Sequence, residues 1–194
     1  MMNTVLFVVS HLGSGSESLV SVLNENPRVQ VWGGQMSYRH PSDLNILMAR
    51  GHKLDNSAAV YGDHLLLNPL FSCKALYEFC KFIYVVRDAK GSLNHMPERE
   101  GKFAAMYYRY RLRRICEMAR RTPGAVLLTY EDLKSGRGLD LIEDYLVLKT
   151  PLSKPQLSPD DKDDVDSKVW TECQEAYEHY LFYLKHLNLK TTTS

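Results

Sequence analysis

A three-layer α/β fold, with a mostly parallel central sheet and helices on both faces, is what this sequence predicts from three observations. Continuous apolar runs at 5–9, 82–86 and 125–129 have the length and β-branched character of strands buried on both faces. Stretches with apolar residues at three-and-four spacing lie between and after them, at 17–25, 101–121 and 169–188. Strands alternating with helices require crossover connections, and crossovers make parallel neighbours. The 194 residues, 44% hydrophobic and 24% charged, are expected to form a single domain, 1–194, able to bury its own core.

The first strand ends in the small-residue loop Ser10-His11-Leu12-Gly13-Ser14-Gly15-Ser16. A helix over 17–25 follows, with Leu19, Val20 and Leu23 on one face, and Asn26-Pro27 stops it. Residues 29–32 read as a second strand, closed by Gly33-Gly34. From 35 to 60 the pattern is weakest, with Ser42-Asp43 placed to cap a short helix through Arg50. Pro69 suits the first turn of a helix reaching about Phe79. The strand at 82–86 ends in Arg87-Asp88 and leads to a short helix near Ser92. On 101–121 the residues Ala105, Tyr108, Leu112, Ile115 and Ala119 form a core stripe, with Arg109, Arg113 and Arg120 off it. Pro123-Gly124 breaks the chain before the strand at 125–129, which runs into Tyr130-Glu131-Asp132-Leu133 and a helix over 139–146. Residues 150–168, with three prolines and the acidic run 160–166, read as a solvated loop. The last helix, 169–188, carries Trp170, Cys173, Tyr177, Leu181, Leu184 and Leu187 to close one face of the sheet.

Several function classes are disfavoured at this level. Twenty-four basic against 23 acidic residues give a net charge of +1, so no specific nucleic-acid partner is indicated. The arginines at 109, 111, 113, 114, 120 and 121 point at several angles around their helix and read first as a solvated face. The four cysteines have no C-x-x-C spacing; Cys73 and Cys80, seven apart, fit one helix face, and reduced thiols are expected. The acidic run lacks EF-hand spacing, and no metal is called for. The apolar run at 5–9 is too short for a signal sequence, and no run approaches the roughly 20 residues of a membrane span. A soluble cytoplasmic protein is the expectation.

In open parallel sheets ligands bind beyond the carboxyl ends of the strands, which directs attention to the residues after positions 9, 86 and 129. Gly13, Ser14, Gly15 and Ser16 sit between a strand and a helix N-terminus, where small residues let free N–H groups approach an anion. The loop lacks the Gly-Lys-Ser/Thr of a kinase phosphate loop, and Ser18 stands where a dinucleotide fingerprint needs its third glycine. Taken alone it fits a glycine-rich turn as well as an anion site. Arg87 is placed to grip a phosphate with two parallel hydrogen bonds, or to form a salt bridge with Asp88. Tyr130 is able to stack on a base, or to pack in the core.

In their order, these three strand ends resemble the PAPS-dependent sulfotransferase family, a P-loop NTPase-like fold. The family's first loop, P-[RK]-[ST]-G-[ST], corresponds to Leu12-Gly13-Ser14-Gly15-Ser16; its I-Y-x-x-R-[DN]-x-[RK] corresponds to Ile83-Tyr84-Val85-Val86-Arg87-Asp88-Ala89-Lys90; its Y-E-D-[LM] corresponds to Tyr130-Glu131-Asp132-Leu133. The likeness spans about residues 4–146. It implies sulfuryl transfer from PAPS to a hydroxyl or amine of a small-molecule, carbohydrate or peptide acceptor, with release of PAP and no metal. It also implies that N–H groups of Gly13 to Glu17, with the Ser14 and Ser16 hydroxyls, hold the 5′-phosphosulfate. Arg87 takes the 3′-phosphate, helped by His95 or Asn94 where the family has serine, and Tyr130 contacts adenine. Gly62-Asp63-His64-Leu65 resembles the family's K-x-H-L and makes His64 the candidate base. Two departures stand out. Gly13 replaces the family's Lys or Arg, a role for which His11, Lys90 or an arginine of 101–121 is the candidate substitute, and no glycine-rich closing segment is recognisable near the C-terminus. The alternative reading is therefore a binding module of the same fold that holds PAP or a sulfated ligand without turnover.

Overall fold

A computed structural model describes residues 4–33, 41–51, 59–65, 79–95, 101–157 and 167–192. Five strands form one sheet: β1 (Thr4–Val9), β2 (Val29–Trp32), β3 (Val60–Leu65), β4 (Cys80–Val86) and β5 (Val126–Thr129). Their order across the sheet is β2-β3-β1-β4-β5, and all four neighbouring pairs are parallel. The first strand is thus the central one, and its carboxyl end lies between those of β3 and β4: Val9 stands opposite Leu65 on one side and Tyr84 on the other.

The strand pleat sorts side chains into two layers. Val5, Phe7 and Val9 of β1 join Phe82, Tyr84 and Val86 of β4 in a core covered by α2 (Pro41–Gly51), α3 (Ala89–Leu93), α4 (Gly101–Ala119) and α7 (Ser167–Lys185). Leu6 and Val8 join Ile83, Val85, Val126 and Leu128 on the opposite face, under α1 (Ser16–Glu25), α5 (Tyr130–Ser135) and α6 (Leu139–Leu146). The three-layer α/β architecture expected from the apolar runs is therefore present. On α4, Tyr108, Leu112, Ile115 and Ala119 of the expected stripe are all buried. A capping box starts α5: the Thr129 hydroxyl accepts from Asp132 N–H, and the Asp132 carboxylate accepts from Thr129 N–H.

The structure departs from the sequence expectations in several places. β3 falls at the end of the stretch where the pattern was weakest and was not expected as a strand. Its sequence, VYGDHL, breaks apolar alternation with Gly62, Asp63 and His64, yet all six residues are buried. Cys80 begins β4 instead of extending a helix, so the shared helix face with Cys73 does not hold; Cys73 and the helix expected from Pro69 lie outside the described residues. Cys80, Cys116 and Cys173 are free thiols. The final helix ends at Lys185, and the tail beyond it pairs with the free edge of β5: Lys190 N–H donates to Ala125 O and Leu127 N–H to Lys190 O, at 2.8 and 2.9 Å. This short parallel bridge covers backbone groups that an open sheet edge exposes. The acidic run 160–166 is outside the described residues.

Candidate functional site

The chain leaves β1 through Ser10 and His11, both fully buried, and turns through Gly13 at φ +73° and Gly15 at φ +82°. These left-handed conformations are where glycine avoids the steric cost other residues meet. Gly15 is the N-cap of α1 and offers no side chain, so the first-turn N–H groups receive no side-chain cap and the positive end of the helix dipole faces outward. Ser14 and Ser16 are each 1% exposed.

The second strand end contributes Arg87, 2% exposed. Its Nη1 donates to Gly13 O at 2.8 Å, tying β4 to the glycine loop. Its guanidinium carbon lies 3.6 Å from the ring centroid of Tyr130, the first residue of α5, in a cation–π stack. Its backbone is held too: Tyr108 Oη donates to Arg87 O at 2.6 Å, and Arg87 N–H donates to His11 Nε2 at 3.0 Å. Asp88 caps α3 by accepting from Gly91 N–H. A Cβ on Gly91 would stand 2.0 Å from Arg87 Nε, so the guanidinium fills space that any other residue would occupy.

Together these segments enclose an open cleft of about 180 Å³. It is lined by Gly13, Ser14, Gly15, Ser16, Glu17, Arg87, His95 and Tyr130, with Leu12, Ser18 and Leu157. Eight of the nine residues expected to hold the ligand thus meet at one place. Asn94, the ninth, is the C-cap of α3 and does not line the cleft; its Oδ1 is buried with no hydrogen-bond partner among the described residues. Tyr130 is 4% exposed and one ring face carries Arg87, so it backs the guanidinium; a base would meet that stack, not a free aromatic face.

Neither candidate catalytic histidine lines the cleft. His11 spends both ring nitrogens on backbone: Nδ1–H donates to Leu12 O at 3.0 Å and Nε2 accepts from Arg87 N–H. Burial, aided by Arg111 and Arg87, pushes its pKa down to about 4. A neutral, fully engaged imidazole cannot stand in for a lysine, and that expectation for His11 is corrected. His64, at the end of β3, is 5% exposed, with burial and Arg111 lowering its pKa to about 4 as well. Its Nε2 lies 2.9 Å from Ser16 Oγ and 3.0 Å from Ser10 Oγ; Ser10 and Ser16 are 2.8 Å apart, and Ser14 Oγ donates to Ser16 Oγ at 3.1 Å. His64 therefore reaches the cleft through hydroxyls.

Two residues of this region escaped the sequence reading, and a third, Arg111, was read as part of a solvated face and is buried. Arg111 of α4 is 3% exposed and donates through Nε to Ser10 O at 2.8 Å and through Nη2 to Leu65 O, clamping the ends of β1 and β3. An arginine inside an arginine-rich helix gives no sign that it alone turns inward. Arg109 and Arg113 instead pair with Glu172 and Glu117 on the surface, and the half-buried Arg114 pairs with Glu117. Leu157 and Gln156 bring the 150–157 segment over the loop: Ser18 Oγ donates to Gln156 O at 2.7 Å, and Leu157 forms a cleft wall beside Gly15. A leucine isolated in a proline-rich polar stretch was the available signal.

Among the described residues no group of three His, Cys, Asp or Glu side chains is placed to hold a metal, and no helix is long and apolar enough to cross a membrane. Compared with known proteins, the chain matches no family model and no curated protein.

Proposed function

We propose that the cleft binds a 3′-phosphoadenosine 5′-phosphate group and that the chain is a PAPS-dependent sulfotransferase. The observation that carries this reading is the convergence on one cleft of the glycine–serine loop, Arg87 and Tyr130, from three separate strand ends. Their chemistry suits an anion: uncapped N–H groups at a helix N-terminus, two hydroxyls, and a guanidinium already desolvated and held in place. The strand order, with β1 between β3 and β4, supports a P-loop-like sulfotransferase fold in the same way.

In sulfuryl transfer an acceptor oxygen or nitrogen bonds to sulfur, the S–O bond to the 5′-phosphate breaks, and PAP leaves with the electron pair. Little covalent work falls to the protein; positioning and electrostatics carry the rate. Loop N–H groups and Arg87 hold the charge, His64 stays neutral at physiological pH and touches the loop through Ser16, and the acceptor's proton leaves to solvent from the open cleft. Calorimetry with PAP, followed by PAPS turnover against phenols, sugars and peptides, tests the reading. Saturable PAP binding and PAP release with one acceptor class are the expected results; absence of PAP binding removes the assignment.

A second reading, ligand binding without turnover, is favoured by Gly13. At φ +73°, and with Ser92 O 2.8 Å from where a Cβ would sit, this position excludes the basic side chain that the family uses there. Tight PAP binding with no turnover of PAPS by any acceptor would select it.

A further inference from the structure

Four polar side chains beneath the cleft are linked by contacts whose donors change with the place of the His64 proton. Ser10, Ser14 and Ser16 bring three hydroxyl protons, and His64 Nε2 brings either a proton or a lone pair, to four contacts of 2.8–3.1 Å. We propose that Ser14, Ser16 and His64 form a reversible hydrogen-bonded chain that selects the cleft's ligand by its proton content, favouring a tetrahedral oxyanion that carries no proton, of the sulfate-ester type. This rests on the cleft being an anion site, as proposed above.

Proton counting supplies the argument. With a lone pair on Nε2 the chain runs inward: Ser14 donates to Ser16, and Ser16 donates to His64. Ser14 then offers the cleft lone pairs only. With a proton on Nε2 the ring donates to Ser16 and Ser10, and the hydroxyl proton of Ser16 is released to turn toward the cleft that Ser14 and Ser16 line. A fully ionised sulfate or sulfate ester has acceptors and no donor, so beyond the loop N–H groups it gains a hydroxyl donor in the second arrangement and meets lone pairs in the first. Hydrogen phosphate carries a proton and is satisfied by the first.

The surroundings decide where the Nε2 proton comes from. Arg111 of α4 faces His64, and the Asp63 carboxylate accepts the His64 backbone N–H. His11 at the end of β1 is neutral, and Glu17 of α1 lies at the cleft mouth. Burial and Arg111 keep the ring neutral at physiological pH, so the proton moves from Nδ1 to Nε2 and no net charge is created. The ring acts through Ser16, which makes His64 a positioning residue for ligand choice.

Side-chain nitrogen NMR of His64 tests this, since a nitrogen bearing a proton and one bearing a lone pair resonate far apart. Sodium sulfate titrated at neutral pH is expected to shift the amides of residues 13–17 and to move Nε2 to its protonated position. Inorganic phosphate in mildly acidic buffer, where it carries protons, is expected to shift the same amides and leave Nε2 unprotonated. Ser16→Ala should weaken sulfate about tenfold and phosphate less than about threefold, with Ser16→Thr restoring sulfate binding. Sulfate binding with Nε2 unchanged overturns the chain and leaves the anion cleft standing. No amide shifts with either sulfate or PAP overturns both. Should Ser16→Ala fail to fold, the titration of the unaltered protein decides alone.

Discussion

Two arginines are buried at the carboxyl edge of the sheet, and they differ in what their donors meet. Arg111, 3% exposed, spends its guanidinium on the carbonyls that end β1 and β3. Arg87, 2% exposed, donates to Gly13 O, lies on an aromatic ring and forms part of the cleft wall. Burial therefore does not separate a structural cation from a ligand-binding one; the partners do. Each arginine also has its histidine. His11 is bonded to Arg87 N–H and fixed by backbone, whereas His64 sits in the field of Arg111 and is bonded to hydroxyls that are able to rotate.

The largest effect expected from this pair of regions is on acid stability. Both histidines titrate near 6.5 when unfolded and near 4 when folded, so the unfolded chain binds more protons in that interval. Their contribution is fully present above pH 6.5 and is lost as pH falls toward 4, about 3 kcal/mol for each. Urea unfolding at several pH values measures it; a flat profile across the interval contradicts the buried neutral state. Next comes Arg111→Met, which takes the Arg111 donor from the buried Ser10 carbonyl and leaves Leu65 O with Ser10 N–H, and should destabilise by about 1–3 kcal/mol. A loss below about 1 kcal/mol in chemical denaturation would falsify the clamp.

Arg87→Ala moves the test to the other region. It should weaken PAP by about 1.5–3 kcal/mol, or roughly ten- to a hundredfold in Kd, through the lost charge-assisted hydrogen bond. Calorimetry on the folded variant checks it, and unchanged affinity takes Arg87 out of the ligand site. The smallest effect is that of Gly13→Lys, which puts the family's basic residue back. The left-handed backbone costs about 1–2 kcal/mol, and the Cβ meets Ser92 O, so the melting temperature should drop and turnover should not rise. A gain in PAPS turnover would instead show that the loop relaxes to accept the charge.

What was legible in the chain follows from how each feature is encoded. β1, β2, β4 and β5 announce themselves through apolar residues; the residues from Gly13 to Ser16, Arg87 and Tyr130 follow from strand ends and small-residue spacing, whereas Glu17 and His95 came with the family resemblance. β3 did not, because Asp63 and His64 are buried by virtue of their hydrogen bonds and not their hydrophobicity. The inward turn of Arg111 and the reach of Leu157 over the glycine loop are likewise distant contacts with no local sign.

The layer architecture, the loop that needs glycine and the residues at three strand ends are written locally in the chain, since pattern and backbone sterics act over a few residues. That His11 is locked and His64 is networked, although both are histidines at the end of a parallel strand, emerges from the folded packing alone. The reason is physical: a side chain's protonation and role depend on desolvation and on which donors and acceptors fall within about 3 Å, and those partners come from other parts of the chain.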